Sequence, residues 1–351
     1  MPQIHQYAPV WQRRFAKIQT SITKALHSTS PPAMQPMSSP SPAMTHGSAT
    51  LSRHNYFTGA AWGLFAISVW VGWILLTRHG VTTSMSAYDI GALRFTLSGL
   101  LLAPIVFRDG FGIRKVGLKL WLVIVCGAGI PYVLIASTGL TFAPAAHAGA
   151  LVPGTMPLWT ALLAMIFLHE KIGRSRRLGL AMIPIGIVIF VGAGLTHFET
   201  GYWRGHLLFI AAAICWASFT VAMRAASASG FTALQAAATV SVVSAIVYLP
   251  VYALWLPHRI ADAPMSAILV QTIYQGVFVS IISLYAYTRS VALLGASLGA
   301  SFASLVPVLA MLAAIPLLGE VPKPADYLGI AAVTIGVFLS SGAYQALTRR
   351  H

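Results

Sequence analysis

The sequence predicts an all-α integral membrane protein whose ten transmembrane helices form two inverted five-helix repeats. The first observation is composition: 57% of the 351 residues are hydrophobic and only 8% are charged, whereas soluble domains carry about 25% charged residues. The second is a succession of apolar windows from Tyr56 onward, each about 20 residues long, which is the length that crosses a bilayer as a helix. The third is an internal duplication, in which residues 145–193 recur as residues 295–343.

The duplication aligns residues that apolar composition alone would rarely align. An offset of 150 positions superimposes Pro157 on Pro307, Glu170 on Glu320, Gly179 on Gly329, Gly186 on Gly336 and Gly192 on Gly342. An offset of 146 positions superimposes Gly59 on Gly205, Trp70 on Trp216 and Arg78 on Arg224. Because each copy holds an odd number of helices, the second copy enters the membrane from the opposite side. Such an inverted repeat allows inward-open and outward-open states of similar energy.

The ten predicted spans follow one another in chain order with short loops between them. They cover residues 57–77, 88–107, 118–138, 147–169, 177–195, 203–225, 233–254, 268–287, 294–318 and 327–346. The predicted domains are a leader at 1–55, a first repeat at 56–200, a second repeat at 201–346 and a tail at 347–351.

The leader is basic and contains no acidic residue before position 51. Its apolar residues recur at helical spacing: Trp11, Phe15, Ile18, Ile22 and Leu26. With arginines and lysines between them, they predict a basic amphipathic helix that lies on an anionic leaflet. The Pro-, Ser- and Met-rich run at 30–48 is expected to be disordered. Two alternatives stay open, a transit peptide and a true start at Met44.

The distribution of positive charge predicts the orientation. Basic residues concentrate in the N-terminal segment and in the loops after the second and fourth spans: Arg108, Arg114, Lys115, Lys119, Lys171, Arg174, Arg176 and Arg177. The positive-inside rule therefore places both termini in the cytoplasm. The expected location is the inner membrane of the cell, or an organelle membrane if the leader is a transit peptide. The net charge of +15 does not indicate nucleic acid, because no single solvated face collects it.

Paired sequence blocks point to a known family. Pro157 and Pro307 each open an apolar stretch that ends in a glutamate, Glu170 or Glu320, and both blocks continue with Leu-Gly and then Ile-Gly. In these blocks the sequence resembles the drug/metabolite transporter superfamily, specifically its ten-helix EamA-type proteins. The resemblance implies a basket of ten helices around a central cavity, lined mainly by helices 1, 3, 4, 6, 8 and 9. It also implies export of small metabolites or amino acids.

Polar and aromatic residues within the spans are the candidate substrate-binding groups. They are Trp70, Arg94, Tyr132, Trp159, Trp216, Gln271, Tyr274, Gln275, Ser301 and Ser304. Arg94 is the one charge placed well inside a predicted span, and an arginine there suits a substrate carboxylate. The alternative for Arg94 is a bundle-facing side chain bonded to backbone carbonyls. For the aromatic residues, the alternative is a lipid-facing or interfacial position.

Helix-breaking residues mark the candidate moving parts. Pro153, Pro157 and Pro307 interrupt spans four and nine, and each proline removes one backbone hydrogen bond. Gly149 and Gly299 add small surfaces to the same spans, where packing alone is the alternative explanation.

The seven acidic residues all map to loops or helix ends. Glu170 and Glu320 close spans four and nine, where each is expected to anchor its turn near the start of the next helix or to act as a gate. Without an acid in mid-membrane, we expect uncoupled transport rather than proton-driven transport. No cofactor or metal is expected, because neither Cys126 nor Cys215 belongs to a metal-ligand spacing.

The leading functional hypothesis is a secondary transporter that exports or exchanges amino acids or related amphiphilic metabolites. A phosphorylated-sugar antiporter would need several buried cations, and the spans offer Arg94. A membrane-embedded enzyme would need a polar cluster, and His79, His147 and His206 are scattered in the sequence with no acid at ligand spacing. We therefore predict no enzymatic activity. The expected partners are a small-molecule substrate and the lipid bilayer, with a homodimer left open.

Overall fold

A computed structural model describes residues 53–196 and 201–342, and within these ranges the regular structure is helical. We number the helices of the bundle α1 to α10 and give the parts of a broken helix letters. The first half contains α1 Arg53–Thr83, α2 Ala87–Asp109, α3a Leu118–Ala128, α3b Ile130–Phe142, α4a Ala145–Leu151, α4b Met156–Phe167 and α5 Arg174–Thr196. A one-turn helix, Ile113–Val116, lies between α2 and α3a.

The second half repeats this order. It contains α6 Tyr202–Ser227, α7 Ala233–Trp255, α8a Met265–Ile273, α8b Tyr274–Ile282, α8c Ser283–Leu294, α9a Ala296–Ser301, α9b Val306–Leu318 and α10 Pro324–Ser340. The segment α8b is a π-helix within an otherwise continuous α8, and a short 3-10 turn, Phe302–Leu305, joins α9a to α9b.

Eight helical segments of the described part are long and apolar enough to cross a membrane. The all-α membrane fold is thereby confirmed, while the count of ten crossings stays a prediction. The span prediction was too short for α1, which continues to Thr83 and so contains Arg78. The leader up to residue 52, including the amphipathic helix and the Met44 alternative, and the tail at 347–351 lie outside the described residues.

Equivalent helices of the two halves begin with the same local structure. At the start of α2, the Ser86 hydroxyl accepts from the Asp89 amide, and the Asp89 carboxylate accepts from the Ser86 amide. At the start of α7, Thr232 and Gln235 form the same reciprocal pair. Each box satisfies amide groups that a helix start leaves free. The duplication therefore fixes the start of these helices as well as their apolar faces.

The two halves interlock rather than pack side by side. The most extensive helix contacts join α5 to α10, α2 to α7, α1 to α8c and α3 to α6, and further contacts join α4a to α9b, α4b to α6 and α9b to α1. When each helix is exchanged for its equivalent in the other half, this set of contacts maps onto itself. The fold therefore has an internal pseudo-two-fold symmetry, and movement of one half changes contacts with the other.

Glycines allow the closest of these approaches, between α5 and α10. A Cβ at Gly179 would lie 2.7 Å from the Gly336 carbonyl oxygen, and a Cβ at Gly186 would lie 3.0 Å from the Gly329 carbonyl oxygen. Small residues let helix backbones approach in a membrane, where packing rather than the hydrophobic effect drives association. These are the glycines that the duplication aligns, so the two repeats meet through equivalent surfaces.

Candidate functional site

Two broken helices meet in the interior of the bundle. Pro153 lies in the turn between α4a and α4b, and Pro157 and Pro307 occupy the first turns of α4b and α9b. The structure thus has a break in α4 and in α9 next to these prolines. Gly149 of α4a faces α9b so closely that a Cβ there would lie 2.7 Å from the Ala310 Cβ. A gating role for these breaks stays a prediction.

Other predicted residues of helix 9 have local neighbours. A Cβ at Gly299 would meet the Val291 side chain of α8c at 2.7 Å, so this glycine permits close packing. The Ser301 and Ser304 hydroxyls donate to carbonyls of their own helix, at Leu298 and Ser301. Such bonds satisfy hydroxyl donors inside a membrane helix. Neither serine hydroxyl is bonded across the bundle in this state.

The predicted aromatic residues separate into two groups. The Tyr132 ring is buried between Trp73, with ring centroids 6.1 Å apart, and Trp216, at 5.0 Å. Trp70 contacts Tyr287 instead, at 5.2 Å. Trp159, also outside the cluster, donates its indole N–H to the Thr155 hydroxyl. The structure thus brings Tyr132 and Trp216 together and adds Trp73, which the site prediction did not include.

Arg94 is buried next to this aromatic cluster. Its guanidinium lies near Tyr132 and 5.8 Å from the Phe95 ring centroid. The buried Nε atom has no hydrogen-bond partner. Asp89, on the same helix, is engaged elsewhere and accepts from the Tyr252 hydroxyl at 2.6 Å. Arg94 is therefore a buried cation whose Nε–H is free to bind an acceptor.

The predicted residues of helix 8 hold α8 against α1. Gln271 donates to the Leu76 carbonyl oxygen, Gln275 to the Thr77 hydroxyl and Tyr274 to the Val69 carbonyl oxygen. A pocket of about 240 Å³ opens beside Gln271, between α1 and α8a. These three side chains join α1 of the first half to α8 of the second half.

Four buried polar atoms on different helices have no hydrogen-bond partner among the residues that the structure describes. They are Trp73 Nε1, Arg94 Nε, Ser137 Oγ and Gln275 Oε1, on α1, α2, α3b and α8b. Buried polar groups are almost always hydrogen-bonded, and an exception calls for a water, an ion or a functional reason. The free donors of Trp73 and Arg94, next to the Tyr132 ring, are suited to a small amphiphilic ligand.

Two ion pairs connect the halves at opposite ends of the bundle. Arg78 Nε lies 2.6 Å from Glu320 Oε1, and Arg224 Nη1 lies 3.3 Å from Glu170 Oε2. Because the duplication relates the two arginines and the two glutamates, the pairs are equivalent and crossed. We call them the Glu320 latch and the Glu170 latch. Each glutamate therefore reaches the other repeat, while its role as an anchor of its turn or as a gate stays a prediction.

The two latches differ in strength. Both side chains of the Glu320 latch are 17% exposed, whereas those of the Glu170 latch are 42% and 46% exposed. The second Glu320 oxygen also accepts from the Ala145 amide at the start of α4a, at 2.8 Å. Exposed ion pairs contribute little, because water screens them and mobile side chains must be ordered. The Glu320 latch is therefore the stronger of the two ion pairs.

The histidines were predicted to be scattered, and for two of them this was wrong. His147 of α4a, His206 of α6 and Asp326 of α10 form one buried hydrogen-bonded chain. Their sequence separations of 59 and 179 residues hid the cluster. The duplication offered no signal either, because the equivalent positions hold Ala60, Ser297 and Arg176.

An inverted-repeat bundle with crossed ion pairs and buried polar side chains between its helices has the architecture of a secondary transporter. The EamA-like transporter family model matches this chain twice, over residues 57–192 and 203–342. The chain belongs to this family. It is therefore a multi-pass membrane protein that transports a small molecule, rather than an enzyme, and the resemblance to EamA-type proteins is confirmed.

Individual relatives agree with this assignment. A probable terminal-alkyne amino-acid exporter of Streptantibioticus cattleyicolor is 28% identical over 80% of this chain and 92% of its own length. An S-adenosylmethionine uptake transporter of Rickettsia felis is 27% identical over 47% of this chain and 54% of its own. A solved crystal structure that is 21% identical matches with a TM-score of 0.55, over 83% of this chain and 97% of its own, which shows a shared fold.

Proposed function

We propose that this protein exports or exchanges small metabolites, with amino acids or related amphiphilic carboxylates as substrates, by alternating access of its two repeats. The observation that carries the proposal is the inequality of the two equivalent latches, at 2.6 Å and 3.3 Å. An inverted repeat has two states in which its halves exchange conformations. In each of these states, one end of the bundle has a strong ion pair and the other end has a weak one.

In this proposal the helix breaks connect the latches to the centre. Glu320 holds the start of α4a through the Ala145 amide, and α4a packs on α9b through Gly149. Release of the Glu320 latch frees α4a from α9b, while formation of a closer Glu170 latch draws α4b toward α6. The prolines between the helix parts allow these parts to tilt separately.

The substrate class follows from the chemistry at the centre. Arg94 offers a buried cation with a free Nε–H, and a guanidinium binds carboxylates with charge-assisted hydrogen bonds. The adjacent Tyr132 and Trp216 rings provide a surface for an apolar side chain. The family relative described as an amino-acid exporter supports the same substrate class. Export as the direction remains part of the proposal.

A phosphorylated-sugar or other organic-anion antiporter is the second candidate. A phosphate dianion needs more than one cation, and Arg94 is the one buried Lys or Arg among the side chains that the structure describes. The structure therefore favours a monoanionic carboxylate group.

Counterflow in proteoliposomes tests the proposal. Vesicles loaded with an unlabelled amino acid are given a trace of the labelled form, for a panel that includes phenylalanine, leucine and a terminal-alkyne amino acid. We expect counterflow for at least one of them without an ion gradient. Arg94→Gln should lower its rate roughly 10- to 100-fold, because a buried charged hydrogen bond contributes about 1.5–3 kcal/mol.

Arg108→Gln is the matched control, since Arg108 lies at the other end of the same helix with an exposed side chain. It should transport at the wild-type rate. An unchanged rate in Arg94→Gln, or no transport of any panel member by folded wild-type protein, contradicts the proposal.

A further inference from the structure

The buried chain of His147, His206 and Asp326 joins three helices at the Glu320 end. His147 Nε2 lies 2.9 Å from Asp326 Oδ1, and His147 Nδ1 lies 2.9 Å from His206 Nε2. The three residues are 5%, 1% and 7% exposed. Asp326 also caps α10, because its other oxygen accepts from the Lys323 amide at 2.7 Å.

Hydrogen-bond chemistry assigns the protons along this chain. An ionised Asp326 only accepts, so His147 Nε2 carries a proton, and with both imidazoles neutral His147 Nδ1 accepts. His206 Nε2 then carries the proton that bonds to His147 Nδ1. This leaves a lone pair on His206 Nδ1, a buried atom without a hydrogen-bond partner. The chain in this state holds one negative charge and has one vacant protonation position.

Among the groups around the chain, Lys323 partly offsets the negative charge of Asp326. His147 packs against the rings of Phe190 and Tyr202, and the Lys323 ammonium lies 5.9 Å from the Tyr202 ring centroid. Arg204, near the start of α6, lies over the Phe142 and Trp203 rings. The nearest acid–base pair along α4a is the Glu320 latch, where Arg78 and Glu320 already balance each other. Burial and His147 oppose a proton on His206 while the bundle is closed, and the Asp326 charge offsets part of this opposition.

The hydrogen-bonded His147–His206–Asp326 chain has no counterpart at the opposite end of the bundle. Its equivalent positions there are Ala60, Arg176 and Ser297, none of which titrates near neutral pH. The fold therefore forms without this cluster, which breaks the symmetry at the end with the tighter latch. A helix cap at Asp326 would require neither histidine.

We propose that the His147–His206–Asp326 chain is a proton-binding site that releases the Glu320 latch. A proton on His206 Nδ1 creates a buried N–H donor that has no acceptor, which is costly until water reaches it. Water reaches it when α4a, α6 and α10 separate. His147 lies two residues from Ala145, which Glu320 holds, so the same movement opens the latch. By the predicted orientation, acid outside the cell opens the outer face.

Distance measurements between spin labels test the proposal. Labels at Thr82→Cys and Val321→Cys, both exposed positions at the Glu320 end, are placed in a variant with Cys126 and Cys215 replaced by serine. In lipid nanodiscs the long-distance population should rise several-fold from about pH 8 to about pH 5, the range in which histidine changes charge. His206→Gln keeps a neutral amide donor toward His147, and it should lose this response.

His79→Gln is the control, because His79 is an exposed histidine near the same end of α1, and it should respond like wild type. Asp326→Asn retains an oxygen for the α10 cap but removes the charge. ¹⁵N spectra of its histidines should show a titration midpoint at least about one pH unit lower than in wild type, a roughly tenfold loss of proton affinity.

A wild-type pH response in His206→Gln, or an unchanged midpoint in Asp326→Asn, would overturn the proposal. The inference uses the alternating access proposed above, but neither readout requires a substrate. A pH-dependent opening in a protein that moves no amino acid would therefore leave this proposal standing and reject the proposed substrate class.

Discussion

Gly72 and Tyr274 define the tightest contact between α1 and α8 at the scale of single residues. The Tyr274 hydroxyl, which donates to the Val69 carbonyl oxygen, occupies the space that a Cβ at Gly72 would need. Glycine is therefore required at position 72 for close approach and not for an unusual backbone angle. Tyr274 was predicted to contact the substrate, and through this hydrogen bond it joins two helices.

Gly72→Ala should destabilise the protein by about 1–3 kcal/mol, because a methyl group forced into a packed interface displaces its neighbours. Here it displaces the Tyr274 ring and breaks its bond to Val69. Thermal unfolding in detergent measures the effect. Gly192→Ala is the matched control, since a Cβ at Gly192 meets nothing within 4 Å, and it should be neutral or slightly stabilising. Equal stability of the two variants would contradict this account.

The sequence identified several important residues but not the partners that they contact. Pro157, Pro307, Glu170 and Glu320 were identified because the duplication aligns them. The arginine partner of each glutamate was not identified, because a repeat of apolar helices does not indicate which helices are in contact. Trp73 was missed for the same reason, since its role depends on Tyr132, 59 positions later on another helix.

At the scale of helices, each predicted span coincides with described helical segments whose ends differ, and eight such segments are long and apolar enough to cross a membrane. Apolar length and flanking charge predicted where each helix lies, and prolines predicted the breaks in α4 and α9. The π-helical segment Tyr274–Ile282 had no sequence signal, because a π-helix changes the hydrogen-bond register without needing a particular residue type. The extension of α1 to Thr83 was missed because Arg78 and His79 end the apolar window.

Helix orientation is tested by cysteine labelling in intact cells. Ala261→Cys, in the segment between α7 and α8a, should react with a membrane-impermeant maleimide, and Arg114→Cys, between α2 and α3a, should not. Both positions are exposed, and the native residues Cys126 and Cys215 are first replaced by serine. The positive-inside rule is the physical reason. Labelling of Arg114→Cys before permeabilisation would reject the predicted orientation.

At the scale of the whole molecule, helices of each half pack mainly against helices of the other half. Each major helix contact has an equivalent under the pseudo-two-fold operation, and the two latches obey it as well. The sequence predicted the repeat and its inversion, from which the symmetry follows. It did not predict the departures from symmetry, namely the unequal latches and the His147–His206–Asp326 chain, because these depend on which state the bundle occupies and on residues that the repeat does not share.

The most direct test of alternating access measures both ends of the bundle at once. Spin-label pairs at Thr82 and Val321 report the Glu320 end, and pairs at Lys171 and Ala228, also exposed, report the Glu170 end. Arg78→Gln breaks the tight latch, and Arg224→Gln breaks the exposed one as a control. We expect Arg78→Gln to lengthen the first distance and shorten the second, while Arg224→Gln changes little. Both ends moving in the same direction, or neither moving in Arg78→Gln, would contradict the account.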